Sequence, residues 1–268
     1  MAKKEAPLLL QVRAASVARG ETQALRDFSW SARRGEHWAI LGPNGSGKST
    51  LVQVLQGWLW PQSGGVSVLG RDFGSDDLDA LRRHIAWVGN EVEPEFPVRQ
   101  TVVQVAESGA VGTLGIQFDR PNARQLGAAR KALRLLGLTA LAQRPFNRLS
   151  QGQRRLAVIA RALAMKPDLL LLDEPTSGLD PVARERFLEK IGGLLRPDSK
   201  PLVLYITHHL EEILPGFTHV LLLREGRVVA AGPRNEVLKP ALLEKTFAAR
   251  FTLSKRDGRY WARVRPFG

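Results

Sequence analysis

Short apolar runs alternate with longer amphipathic stretches along the chain, the order that builds a largely parallel sheet joined by helices. Strands are predicted at Leu8–Val17, Phe28–Ala32, His37–Leu41, Val66–Leu69, Ile85–Val88, Leu169–Leu172, Leu202–Ile206, Val220–Leu223 and Arg227–Ala230. The runs Leu169–Leu172 and Leu202–Ile206 are apolar without alternation, as expected of central strands covered on both faces. Helices are predicted to begin at Gly47 and Ser150 and to cover Pro181–Leu195. From Val98 to Ala164 the pattern is helical, with Gly112–Pro121 as a loop and Gln125–Leu136 spaced as an amphipathic helix. An all-helical insertion in an α/β chain follows.

Four segments are expected: residues 1–89 and 165–238 as two parts of one core, 90–164 as a helical subdomain, and 239–268 as a basic extension. The extension carries Lys255, Arg256, Arg259, Arg263 and Arg265 and is read as a solvated charged tail. The net charge of +13 over 268 residues favours acidic partners, nucleotides included. Zero cysteines exclude a disulfide scaffold, a zinc-thiolate site, an iron–sulfur cluster and a Cys nucleophile. No apolar run approaches the roughly 20 residues of a spanning helix, and the start of the chain lacks the apolar region of a signal peptide. A cytoplasmic location is expected.

The strongest chemical signal is Gly42-Pro43-Asn44-Gly45-Ser46-Gly47-Lys48-Ser49-Thr50, directly after the predicted strand His37–Leu41. It matches G-x-x-x-x-G-K-[ST] in full. Glycines let consecutive backbone N–H groups converge on phosphates, and a helix N-terminus adds its positive dipole end. Lys48 is placed to neutralise the β- and γ-phosphates and the Ser49 hydroxyl to ligate Mg²⁺. A second cluster ends the run Leu169–Leu172: Asp173 as an Mg²⁺ ligand through water, and Glu174 as a carboxylate able to polarise a water. Between them, Leu149-Ser150-Gln151-Gly152-Gln153 has the spacing of a capping box with Ser150 at the cap; a Gly inside that cap also keeps N–H groups open to an anion.

The phosphate loop, Leu149–Gln153, Leu169–Glu174, Ser177-Gly178-Leu179-Asp180 and Thr207-His208 stand in the order seen in ABC-type ATPases. Over roughly Leu8 to Glu236 the chain resembles the nucleotide-binding subunit of an ABC transporter. The resemblance implies a phosphate-loop NTPase core with a mostly parallel sheet, an N-terminal antiparallel portion and a helical subdomain. It implies two cassettes closing head to tail around two ATP molecules, as a homodimer or with a related cassette. Gly42 to Thr50 would bind the nucleotide. Leu149, Ser150, Gln151, Gly152 and Gln153 would face the ATP of the opposite subunit. Glu174 would be the general base and His208 would hold the water in line, His209 facing elsewhere. Asp180 would couple the two sites. Hydrolysis would power transport through a separate membrane subunit, with this chain peripheral on the cytoplasmic face of the inner membrane.

Two positions depart from the family pattern. Asn90 stands where a Mg²⁺-touching Gln is usual, and its carboxamide is one methylene shorter. Arg19 stands near where an aromatic residue usually stacks on adenine; a guanidinium can stack on a base, and acceptance of both ATP and GTP is expected. Thr101–Gly109 and Gly258–Trp261 are similar to segments of importers of metal chelates or oxyanions, and a single cassette without spanning helices fits an importer. The alternative is a soluble ABC-type ATPase acting on nucleic acid or the ribosome. No sustained heptads lie between Thr50 and Leu149, so no nucleic-acid partner is expected. A small-molecule kinase would leave Leu149–Gln153 and Ser177–Asp180 unexplained.

Overall fold

The elements, in chain order, are β1 (Leu8–Arg19), β2 (Thr22–Arg33), β3 (Trp38–Leu41), α1 (Lys48–Leu55), β4 (Ser63–Val68), β5 (Arg71–Asp72), α2 (Leu78–Arg82) and β6 (Ile85–Val88). Then come α3 (Val102–Val111), α4 (Ala123–Leu135), α5 (Gln151–Ala164), β7 (Leu169–Asp173), α6 (Pro181–Gly192) and β8 (Leu202–Thr207). The chain ends in β9 (His219–Arg224), β10 (Arg227–Pro233), α7 (Arg234–Val237), α8 (Pro240–Phe247), β11 (Ala249–Arg256) and β12 (Arg259–Pro266). This computed structural model describes residues 6–74, 77–89, 96, 99–113, 120–196 and 200–266. The chain divides into two units, Met1–Arg82 with Leu202–Gly268, and Arg83–Pro201.

In the first unit, β3 runs parallel to both β8 and β9, and β10 turns back antiparallel on β9. Every residue of β3 and β8 is buried, which is what their unbroken apolar sequence requires. A second sheet is antiparallel, in the order β2-β1-β4-β5. Its strands alternate buried and exposed positions as in a sheet with one wet face. Strand β2 begins at Thr22, six residues before the predicted run, because the cross-strand pairs Arg19↔Thr22 and Ala18↔Gln23 extend it through polar positions.

The end of the chain corrects one expectation. Residues 240–266 form a helix and a regular two-stranded ribbon rather than a solvated tail. Pro240 opens α8 with its preset φ. Ala248 closes the helix in the left-handed region, φ 53°. The ribbon turns on Asp257 and Gly258, both at positive φ (50° and 73°), as a two-residue hairpin turn requires.

In the second unit, β6 pairs in parallel with β7, Val88 opposite Leu172. Helices α3, α4 and α5 each start with a complete capping box: Thr101 with Gln104, Asn122 with Gln125, Ser150 with Gln153. Helices α3 and α5 touch backbone to backbone: a Cβ on Gly109 would lie 2.0 Å from the Arg161 carbonyl oxygen, so only glycine fits. The Arg161 guanidinium spans the same seam, donating to Ser108 Oγ at 3.3 Å and to the Thr113 carbonyl at 2.9 Å. Burial lowers its pKa, and burial raises that of Glu107 on α3 against the opposing charge of Arg130.

Candidate functional site

The phosphate loop leaves β3 at its buried end. Gly42 sits where a Cβ would meet the Leu223 carbonyl oxygen at 2.3 Å and Ser46 Oγ at 2.5 Å. Gly45 and Gly47 take φ of 75° and 104°, a region that glycine enters without a Cβ penalty. Gly47 also touches β2, a Cβ there falling 2.7 Å from the Ala24 carbonyl oxygen. Around this turn the Lys48 ammonium donates to the carbonyls of Gly42 and Pro43 at 2.8 and 2.9 Å. The lysine is 7% exposed. Its stem therefore forms the inside of the loop.

Helix α1 starts at Lys48 with no side-chain cap at Gly47. Its first N–H groups therefore have no side-chain acceptor at the cap, the usual anion-binding end of a helix. Ser46 Oγ is buried without a hydrogen-bond partner among the described residues, and Ser49 in the first turn is exposed while Thr50 is buried. Glycine-only positions, a looped lysine, an uncapped helix start and an orphan hydroxyl fit a phosphate chain. A pocket of about 220 Å³ adjoins the loop, lined in part by Asn44, Gly45, Arg224 and Phe247. Arg19 ends β1, exposed, paired with Thr22 two residues before Ala24. The contact of Ala24 with Gly47 ties that hairpin to the loop.

His208 follows β8 and is exposed. Its position rests on a buried network that the sequence reading missed. Glu212, wholly buried, accepts from Thr207 Oγ1 at 2.7 Å and from the Tyr205 hydroxyl at 3.1 Å. Thr207 Oγ1 in turn accepts from the His209 N–H at 3.0 Å. The two hydroxyls lie two residues apart on β8, and Glu212 lies five residues past Thr207; that spacing gives no sign that the glutamate is buried. His209 leans on His208 with ring centroids 4.0 Å apart and approaches Glu211 at 3.6 Å.

The second unit holds the remaining candidates. Asp173 and Glu174 leave β7 half-buried. Glu174 has φ 46°, the left-handed region that costs a non-glycine residue about 1–2 kcal/mol. The Ser177 N–H returns to the Glu174 carbonyl at 3.1 Å, closing the turn. Ser150 caps α5, its Oγ accepting from the Gln153 N–H at 3.4 Å while Gln153 Oε1 accepts from the Ser150 N–H at 3.1 Å. Leu149 and Gly152 are buried, and Ser150 and Gln151 are exposed. The Gln151 amide lies beside Gly178, 3.3 Å from where a Cβ would stand. Asp180 caps α6, accepting from the Val182 and Ala183 N–H groups at 2.9 Å. Arg155, buried in α5, donates to the Pro175 carbonyl at 2.5 Å. Asn90 lies outside the described residues.

At the opposite end of β7, Asp168 accepts from His84 at 2.9 Å and Lys200 at 3.2 Å. Burial pushes its pKa up, but the hydrogen bonds and charges of Lys200 and His84 outweigh this and hold it below the usual carboxylate range.

A family model described as ABC transporter matches residues 25–177. The chain is 37% identical over 241 residues to the uncharacterized ABC transporter ATP-binding protein YlmA of Bacillus subtilis, covering 90% of this chain and 91% of that one. It is 38% identical over 251 residues to the cobalt import ATP-binding protein CbiO of Rhodobacter capsulatus, covering 93% and 87%. The solved CbiO structure from Clostridium perfringens, part of the ABC transporter complex CbiONQ, superposes with a TM-score of 0.75 at 29% identity, covering 89% and 93%. The chain belongs to the ABC transporter family, as its ATP-binding, ATP-hydrolysing cassette. Its fold class is the α/β cassette fold. Among the described residues no helix is long and apolar enough to cross a membrane.

Proposed function

We propose that this cassette dimerises head to tail around two Mg-ATP molecules and powers an importer through a separate membrane subunit, working from the cytoplasmic face of the inner membrane. The observation that carries the reading is the phosphate loop: Lys48 held inside a turn that only glycines can make, ahead of an uncapped helix. Gly42 to Thr50 receive the triphosphate, the N–H groups of α1 and the Lys48 ammonium facing its β- and γ-oxygens. Arg19 stacks on the base. Ser49 and Asp173, with Asn90, would hold Mg²⁺, an ion that needs only one or two protein oxygens beside phosphate and water. It would supply charge neutralisation for the triphosphate.

Glu174 polarises the attacking water, and His208 orients it toward the γ-phosphorus. Ser150 and Gly152, at the start of α5, take the γ-phosphate bound by the opposite subunit, with Leu149, Gln151 and Gln153 shaping that turn. Asp180 couples the two sites from the N-cap of α6, where its carboxylate is already fixed by two N–H groups. The importer assignment is supported by the likeness to a cobalt import protein. The boundaries proposed for the chain remain 1–89, 90–164, 165–238 and 239–268.

The test is a pull-down of tagged Glu174→Gln from detergent-solubilised source cells in Mg-ATP, with partners identified by mass spectrometry. Recovery of a polytopic membrane protein is the expected result. Recovery of soluble partners alone overturns the transport reading.

A further inference from the structure

The C-terminal ribbon has an unbroken register, Arg250↔Arg265, Thr252↔Arg263, Ser254↔Trp261 and Arg256↔Arg259. Because side chains alternate strictly across a ribbon, these eight share one face. Their neighbours Phe251, Leu253, Ala262 and Val264 share the other, on which Phe247 of α8 meets Phe251 at 5.7 Å between centroids. That face is mostly apolar and meets the helix at Phe251, with Lys255 and Tyr260 at its turn end and Val264 49% exposed. The opposite face carries five arginines, two hydroxyls and one indole.

That arginine face is built at a cost. Arg250 stands directly across from Arg265, and Arg256 from Arg259, pairings that destabilise a ribbon. Among the described residues Arg250, Arg256, Arg263 and Arg265 have no acidic partner, and all four are exposed. The exception is Arg259, whose guanidinium is pinned on the Glu211 carbonyl at 2.9 Å through Nε. It lies 5.3 Å from the Trp261 ring centroid. The indole, 40% exposed, is therefore a preformed platform beside fixed positive charge. Ser254, Arg256, Asp257, Arg259 and Trp261 line a concavity of about 440 Å³ on this face.

We propose that the arginine face of the ribbon binds single-stranded nucleic acid, its phosphates tracking Arg250, Arg263, Arg265 and Arg256 and one base stacking on Trp261. A cationic track with an aromatic platform is the chemistry by which single strands are held without sequence readout. An anionic lipid surface would be met by the arginine charges alone; the indole held beside the Arg259 guanidinium is the feature that a stacked base uses. Such binding would run against the expectation of no nucleic-acid partner, and it does not rest on the transport reading.

The test is fluorescence anisotropy of labelled poly(U) with the full chain across a salt series. Binding is expected, with log K falling by about 0.7 per neutralised phosphate for each unit of log salt. The triple variant Arg250→Ser/Arg263→Ser/Arg265→Ser should bind at least about tenfold more weakly with a shallower salt slope. Trp261→Ala should lose about tenfold with the slope unchanged. Both variants should keep the parent's ATPase rate, which shows that they fold. No binding of poly(U), equal binding by the variants, or capture by phosphatidylserine vesicles in place of poly(U) would overturn the proposal.

Discussion

Arg155 and Pro175 are joined by a buried hydrogen bond, guanidinium to carbonyl, at 2.5 Å. The donor belongs to the helix that Ser150 caps, and the acceptor is the residue after Glu174. The helix that carries the Leu149–Gln153 turn is thus tied by one hydrogen bond to the residue beside the proposed base, within a single unit. Arg155→Met keeps the apolar stem but leaves that carbonyl short of a donor, at a cost of about 1–3 kcal/mol. Thermal unfolding should shift down, and hydrolysis should fall more than ATP affinity. An ATPase rate equal to the parent's would show the bond is only structural.

Glu174 combines a proposed chemical role with a strained backbone. Glu174→Gln should lower turnover by about 10²–10⁴, retain ATP and shift the protein to a dimer in gel filtration with Mg-ATP. Glu174→Gly should be equally inactive yet more stable by up to about 1–2 kcal/mol, because glycine relieves the left-handed φ. A glycine variant that melts below the glutamine variant contradicts the strain assignment.

The phosphate loop is tested by Gly42→Ala and Lys48→Ala. The added methyl of Gly42→Ala meets a backbone oxygen at 2.3 Å, and overpacking of this kind costs about 1–3 kcal/mol. Lys48→Ala removes charge-assisted contacts worth about 1.5–3 kcal/mol, so calorimetric ATP affinity should drop about tenfold to a hundredfold. Unchanged affinity in Lys48→Ala would remove the lysine from the nucleotide site.

Asp168 gives the molecule an acid-sensitive tie. Its pKa lies below its unfolded value of about 3.9, so the stability it adds is present above that value and is lost as pH falls through the folded one. Denaturant titrations should show Asp168→Asn weaker than the parent at pH 7, with the gap closing as pH falls through the folded-state pKa of Asp168. A gap that widens in acid would reverse the assignment.

What the sequence made legible follows from where information is local. The phosphate loop was readable because each glycine answers a backbone demand, and Gly42, Gly45 and Gly47 all proved to need one. Strands β3, β7 and β8 were readable because burial on both faces leaves unbroken apolar runs. The capping box of Ser150 and Gln153 was visible from spacing alone. The ribbon was missed although Asp257-Gly258 is a strong hairpin signal. Its arginines drew attention to charge and hid an alternation of Phe251 and Leu253 with polar neighbours. The network of Tyr205, Thr207 and Glu212 was invisible because a glutamate in a polar-looking turn gives no sign of being buried.

The glycine seam of α3 and α5 has a mechanical consequence. Two helices whose backbones touch at Gly109 and Arg161 have no side-chain layer in which to slide. The two helices are therefore held as one piece at this crossing, with Ser150 at the start of the same α5. Filling the seam, as Gly109→Ala would, forces the two helices apart without touching any residue of the proposed nucleotide site.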